Sequence, residues 1–139
     1  QSAVLVLFYK RGRKTCFPLV KRVVYNGVHS GQISLPGGQY EKTDRNFART
    51  ALRETEEEIG VEAGKIKLLG ELSPVYIPPS NFDVHPFVGY ISEEPQFQVD
   101  HVEIDHLLEI ELDTFMDPAC KTEKMIHHRT GVEVTVPCF

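Results

Sequence analysis

Short apolar runs alternate along this chain with polar breaks marked by glycine or proline, and the period within each run indicates its structure. Residues 3–9 (AVLVLFY) are continuously apolar and β-branched, which predicts a buried strand. The basic turn Lys10-Arg11-Gly12-Arg13-Lys14 follows, and residues 16–24 read as the returning strand of a hairpin. Residues 25–34 are loop-like, carry Gly27 and Gly31, and lead into a Gly-Gly turn at Leu35-Pro36-Gly37-Gly38. The period then becomes helical. Thr43 and Asp44 are good N-cap residues, Ala48, Ala51, Leu52, Thr55 and Ile59 share one face, and Gly60 falls at the C′ position. That face predicts a helix packed on a sheet. Strands are expected over residues 65–72, 84–91 and 107–112, and a loop over 73–82, where Pro74, Pro78 and Pro79 break any period. Residues 113–116 read as a short helical turn, and 122–128 with 132–138 as a final hairpin around Arg129-Thr130-Gly131.

Composition narrows the class. The 139 residues make one domain, 1–139, with enough chain for a sizeable core. The chain begins inside a strand-like run and shows no internal repeats. It is 41% hydrophobic and 25% charged, ordinary for a soluble globular protein. A net charge of −5 with no basic run argues against nucleic acid as a partner. No stretch approaches a membrane span and no secretory leader is visible. Cys16, Cys120 and Cys138 are odd in number and widely spaced, which points to reduced thiols in the cytoplasm. The pairs His101 with His106 and His127 with His128 have no zinc-site spacing.

The chemistry concentrates on the helix. Glu54, Glu57 and Glu58 stand at i, i+3 and i+4, so three carboxylates gather at one edge of its apolar stripe. Like charges at this spacing cost a few tenths of a kcal/mol per pair. Acids in a last turn oppose the helix dipole by roughly 0.3–1 kcal/mol each. A bound hard cation, Mg²⁺ or Mn²⁺, would reverse both penalties. An acidic cluster alone is ordinarily a solvated helix surface. The Gly-Gly turn upstream, Arg53 directly before Glu54 and the closing Gly60 point instead to a metal site for hydrolysing a phosphate–phosphate bond.

Residues 35–61 (LPGGQYEKTDRNFARTALRETEEEIGV) resemble the Nudix box, Gly-x5-Glu-x7-Arg-Glu-U-x-Glu-Glu-x-Gly-U, with U a bulky apolar residue. The second half matches from Arg53 to Val61, with Thr55 at the first U. In the first half Asp44 stands at the glutamate counted from Gly38, and eight residues separate it from Arg53; Glu41 is the other acid that could partner Arg53. The longer spacing is similar to that of the coenzyme A diphosphatase branch. So is the preceding segment LVKRVVYNGVHSGQISLPGG, in which Arg22 falls on that branch's first arginine and Gly31 on its glycine. Gly27 replaces its second arginine and Leu35 its phenylalanine. A "PFVG" strand, Pro86-Phe87-Val88-Gly89, follows the loop as it does there.

The resemblance implies an α/β (α+β) Nudix fold: a mixed β-sheet in an α/β/α sandwich, with a second helix expected beyond the present end. It implies hydrolysis of a diphosphate bond in a nucleotide substrate, coenzyme A or an acyl-coenzyme A, with Mg²⁺ or Mn²⁺ held by Glu54, Glu57, Glu58 and a backbone carbonyl at Gly38. Arg53 is implied to orient the helix carboxylates, and Glu103 matches the acid that supplies a further ligand or the base, with Asp100 and Asp105 competing. Arg22 is either a phosphate contact or a surface strand residue. Gly37 lets backbone approach the substrate, and Tyr76 and Phe82 either stack on a base or anchor the loop. Another nucleotide substrate, a ligand sensor without turnover, and a homodimer are left open.

Overall fold

The structure is a computed structural model of the chain, and it describes residues 1–24, 31–78, 81–127 and 133–138. Strand β1 (Ser2–Arg11) turns at Gly12 into β2 (Lys14–Arg22), but the two pair only from Tyr9↔Cys16 to Arg11↔Lys14. Beyond that they diverge. The gap is taken by residues 36–39, where Leu5 N–H donates to the Pro36 carbonyl and β4 (Gly37–Gln39) pairs antiparallel with the start of β1. β2 meets the two-residue β3 (Ile33–Ser34) and, along its length, the antiparallel β8 (Ile104–Glu111).

The other edge of β1 carries β7 (Phe82–Tyr90), parallel to it from Ser2↔Val84 to Phe8↔Tyr90. β7 is flanked by β5 (Lys67–Glu71) and β6 (Val75–Ile77), both antiparallel to it. The sheet is therefore mixed. β9 (Thr122–His127) and β10 (Glu133–Cys138) form a separate antiparallel hairpin.

Helix α1 (Phe47–Ile59) packs on β1 and β4 through Ala51, Leu52 and Ile59, against Ala3, Leu5 and Leu7. Burial along β1 alternates. Ala3, Leu5, Leu7 and Tyr9 are buried while Val4, Val6 and Phe8 are half-buried, so the continuously apolar run faces a dense core on one side only. On that second side Phe8 meets Phe17 edge-to-face, and Phe17 meets Phe115 of the short helix α2 (Leu112–Met116). Helices thus lie on both faces, consistent with an α/β/α sandwich, although α2 is the short helical turn expected at 113–116 and not the second helix expected beyond the present end. Removing a core side chain such as Leu7 would cost about 2–5 kcal/mol.

Two sequence expectations change. The stretch read as a loop contains β6, made a strand by its partner β7 despite the prolines around it. Gly37-Gly38 is a short strand threaded beside β1 rather than a free turn. Part of the loop at 25–34, including Gly27, lies outside the described residues, as does Arg129-Thr130-Gly131. No helix among the described residues is long and apolar enough to cross a membrane.

Candidate active site

The helix that carries the acids is fixed at both ends. Its N-cap is Asn46, whose Oδ1 accepts from Arg49 N–H at 2.9 Å, and not Thr43 or Asp44. Its C-terminus closes at Gly60 with φ 72°, whose N–H donates to the Glu56 carbonyl at 2.9 Å. Thr55, the small residue where a bulky apolar one is expected, is fully buried, and its hydroxyl donates to the Ala51 carbonyl at 2.7 Å.

Asp44 is released from capping because Arg53 uses it. Arg53 grips its carboxylate with both prongs, Nε to Oδ1 and Nη2 to Oδ2, each at 3.0 Å. Nη1 donates to Glu54 Oε1 and Glu57 Oε2, both at 3.0 Å, and Nη2 also reaches the Gln39 carbonyl at 3.2 Å. All five guanidinium N–H groups are thereby used. Asp44 accepts as well from Thr50 Oγ1 at 2.9 Å and from Glu41 N–H at 3.2 Å. These hydrogen bonds, Arg53's first, hold its carboxyl down at about 2, and Arg53 is raised in return. Asp44 is the partner of Arg53; Glu41 stays at the surface, accepting from Thr43.

Glu58 turns the other way. It is 2% exposed, and its Oε2 accepts from Gly37 N–H at 3.0 Å. Arg22 Nη2 lies 2.7 Å from Glu58 Oε1, but its hydrogen bond, at 2.8 Å, goes to the Gly37 carbonyl. Oε1 therefore has positive charge beside it and no aligned hydrogen bond. Burial outweighs the help from Arg22 and Gly37 and pushes this carboxyl up to about 7. Burial also raises Glu54, with the charges of Glu57 and Glu103 adding to the effect.

The glycines make room for this cluster. A Cβ on Gly38 would lie closer than 3.0 Å to the Glu54 carboxylate. One on Gly37, where φ is 152°, would strike the backbone of Ala3 and Val4. Glu103 is exposed, its Oε2 3.8 Å from Arg22 Nη1. Its competitors are engaged elsewhere: Asp100 accepts from Val102 N–H, and Asp105 lies beside Lys21 and His106.

Glu54, Glu57, Glu58, Arg53, Arg22, Gly37, Gly38 and Glu103 are thus gathered around β4 and the second half of α1. Tyr76 and Phe82 are not part of this group. Tyr76 donates from its hydroxyl to Asn81 at 2.8 Å, and Phe82 is paired with Ile77 across the β6–β7 hairpin. Among the described residues no three Asp, Glu, His or Cys side chains converge, as they stand, tightly enough to hold an ion. A depression of about 570 Å³ beside Asp44, Arg49 and Arg53 includes none of the three glutamates. Sequence reasoning missed the Gln39 carbonyl and the Arg22–Glu58 contact; the second had a signal, since Arg22 shares strand parity with the apolar Val20.

The NUDIX domain family model matches residues 1–128. This chain belongs to the Nudix family. Among curated relatives it is 37% identical over 113 residues to "Uncharacterized Nudix hydrolase NudL" of Pectobacterium atrosepticum, covering 81% of this chain and 58% of that one. It is 31% identical over 132 residues to the protein of the same name from Yersinia pestis (strain Pestoides F), covering 95% and 65%. The chain therefore spans roughly three fifths of the length of these relatives. The fold of the Nudix domain is shared with Ap4A hydrolase of C. elegans at TM-score 0.69 and 20% identity, covering 86% of both chains. It is also shared with the NUDIX domain of Shewanella oneidensis NrtR, solved with ADP ribose, at TM-score 0.61 and 19% identity, covering 83% and 74%.

Proposed function

We propose that this Nudix domain hydrolyses a diphosphate bond in a nucleoside-diphosphate-linked substrate, with Mg²⁺ or Mn²⁺ as cofactor, and that the substrate is coenzyme A or an acyl-coenzyme A. The observation that carries the reading is the cradle at Gly38. Only a residue without a side chain leaves room there for Glu54, and Glu54 shares its field with Glu57, Glu58 and Glu103.

The donor set fits a hard cation. Every candidate is an oxygen, and Glu58 Oε1 is buried with no aligned hydrogen bond. Glu54, Glu57 and Glu58, with the Gly38 carbonyl, would hold the ion. When bound, such an ion neutralises phosphate oxygens and lowers the pKa of an attacking water. The rest is done by side chains. Water attacks one phosphorus, the bond from that phosphorus to the bridging oxygen breaks, and the bridging oxygen leaves on the second phosphate. Glu103, exposed at the rim, takes the water's proton. Arg53, tied to Asp44, keeps Glu54 and Glu57 at the end of the helix where they are needed. With coenzyme A the products are 4′-phosphopantetheine and 3′,5′-adenosine bisphosphate.

Support for the hydrolase class comes from the retained carboxylates and the relatives' names. Support for coenzyme A comes from the segment before the box and the Pro86–Gly89 match. The test is a panel of coenzyme A, acyl-coenzyme A, NADH, ADP-ribose and 8-oxo-dGTP with Mg²⁺ or Mn²⁺, wild type beside Glu57→Gln. Cleavage of coenzyme A that needs the metal and falls at least about 100-fold in the variant is expected. Cleavage of another member keeps the hydrolase and discards coenzyme A. Binding of a member without cleavage replaces the enzyme with a ligand sensor.

A further inference from the structure

Arg22 has no role in the reaction just described, yet three elements converge on it. It is the last residue of β2 and shares parity with buried Val20, so its side chain runs inward. The register break opposite it lies on β8, where Asp105 is the extra residue between Ile104 and His106; β2 itself is uninterrupted. Its side chain is 19% exposed. Nη2 donates to the Gly37 carbonyl at 2.8 Å and lies 2.7 Å from Glu58 Oε1. Glu58 Oε2 in turn accepts from the N–H of the same glycine at 3.0 Å. Arg22, Gly37 and Glu58 therefore close a ring that ties β2, β4 and α1 together.

Arg22 Nη2 is committed to protein groups, and Glu58 Oε1 is held by charge rather than by an aligned hydrogen bond. A carboxylate taken out of water needs a counter-charge close by. The guanidinium supplies one at the same oxygen a cation would use.

We propose that Arg22 is a positioning residue: a built-in counter-charge that holds Glu58 and the Gly37 peptide in place when no divalent cation is bound and shares Glu58 with the ion when one is. This rests on the metal-site reading above. Charge balance at Glu58 is then supplied twice over in the loaded protein and once in the empty one, so losing Arg22 harms the empty protein more.

The test is thermal unfolding at pH 8.5 of wild type, Arg22→Met and Arg22→Lys, first with a chelator and then with Mn²⁺ titrated in, without substrate. Without metal, Arg22→Met is expected to melt roughly 5–10 °C below wild type. Mn²⁺ is expected to recover most of that loss, making its Tm increment about twofold larger in Arg22→Met than in wild type, with Arg22→Lys close to wild type. Equal, non-zero increments in wild type and Arg22→Met would reduce Arg22 to packing and overturn the proposal. Equal increments with a raised KM and unchanged kcat would overturn it in favour of a substrate contact. No increment in wild type would remove the metal-site reading, and the proposal with it. If Arg22→Met does not fold, Glu58→Gln and the double variant decide. The double variant is expected to fold and melt near Glu58→Gln; a double variant that also fails to fold sinks the idea.

Discussion

Two arginine–carboxylate pairs flank the acidic end of α1, and they behave in opposite ways. Asp44 and Glu58 are both under a tenth exposed, and each has a guanidinium within 3.0 Å. Asp44 is held down at about 2, whereas Glu58 is pushed up to about 7. Burial acts on both but leads only at Glu58, whereas at Asp44 the aligned hydrogen bonds from Arg53 come first. Asp44 receives both prongs of Arg53, a hydroxyl and a backbone N–H, all directed at its oxygens. Glu58 receives one backbone N–H and a guanidinium whose hydrogen points at a carbonyl. Proximity of charge alone does not offset removal from water; aligned donors do. The Asp44–Arg53 pair is a finished clasp, and the Glu58–Arg22 pair is a carboxylate still short of partners.

The sharpest way to break the contrast is Gly37→Ala. A methyl there strikes the β1 backbone and imposes a positive φ on a residue with a side chain, so β4 must leave β1 and Glu58 loses its N–H partner. Overpacking and backbone strain together should cost about 4 kcal/mol, measured as a lower urea midpoint with unchanged m. The clasp, which needs only the Gln39 carbonyl from β4, should keep Asp44 acidic in a carboxyl titration.

The pairs also predict opposite slopes of stability with pH. Glu58 binds its proton more tightly folded than unfolded, so in chelator its contribution is complete below pH 4.5 and is lost as pH rises through about 7. The loss should be about 3 kcal/mol, absent from Glu58→Gln and smaller when Mn²⁺ is present. Asp44 has its folded value below 3.8, so its contribution is complete above about pH 4–5 and is lost as pH falls through about 2. That loss should be on the order of 2 kcal/mol and should vanish in Asp44→Asn. Denaturant unfolding of wild type and both variants from pH 2 to 8 checks the two signs in one experiment. A Glu58→Gln curve that keeps the neutral-pH slope would mean that the slope belongs to another group.

Much of the frame was legible because it depends on local signals. The apolar strand runs, the turn at Gly12 and the stop at Gly60 rest on local side-chain pattern and backbone freedom alone. So does the placing of Glu54, Glu57 and Glu58 along one edge of a helix. What could not be read depends on partners distant in sequence. Asp44 and Asn46 are equally good cap residues by type, and Asn46 caps the helix while Arg53, nine residues after Asp44, takes that carboxylate. β6 has no strand pattern of its own and exists through β7. That Glu58 turns inward to Arg22 depends on how α1 seats on β4, which no local spacing encodes.

The smallest expected effect probes the helix between the two pairs. Thr55 stands where the family pattern has a bulky apolar residue, one turn from Ala51 on the face that packs on the sheet. Its hydroxyl donates to the Ala51 carbonyl inside its own helix, at 2.7 Å, a bond that tends to bend a helix. Thr55→Val removes that hydroxyl, keeps the branched shape and leaves no other donor orphaned. Stability should rise by less than about 1 kcal/mol, with the pH slopes of Glu58 and Asp44 unchanged. If Thr55→Val instead shifts either slope, the hydroxyl is setting the helix curvature that aims Glu54 at one arginine and Glu58 at the other. The two pairs would then be a single coupled device rather than two independent ones.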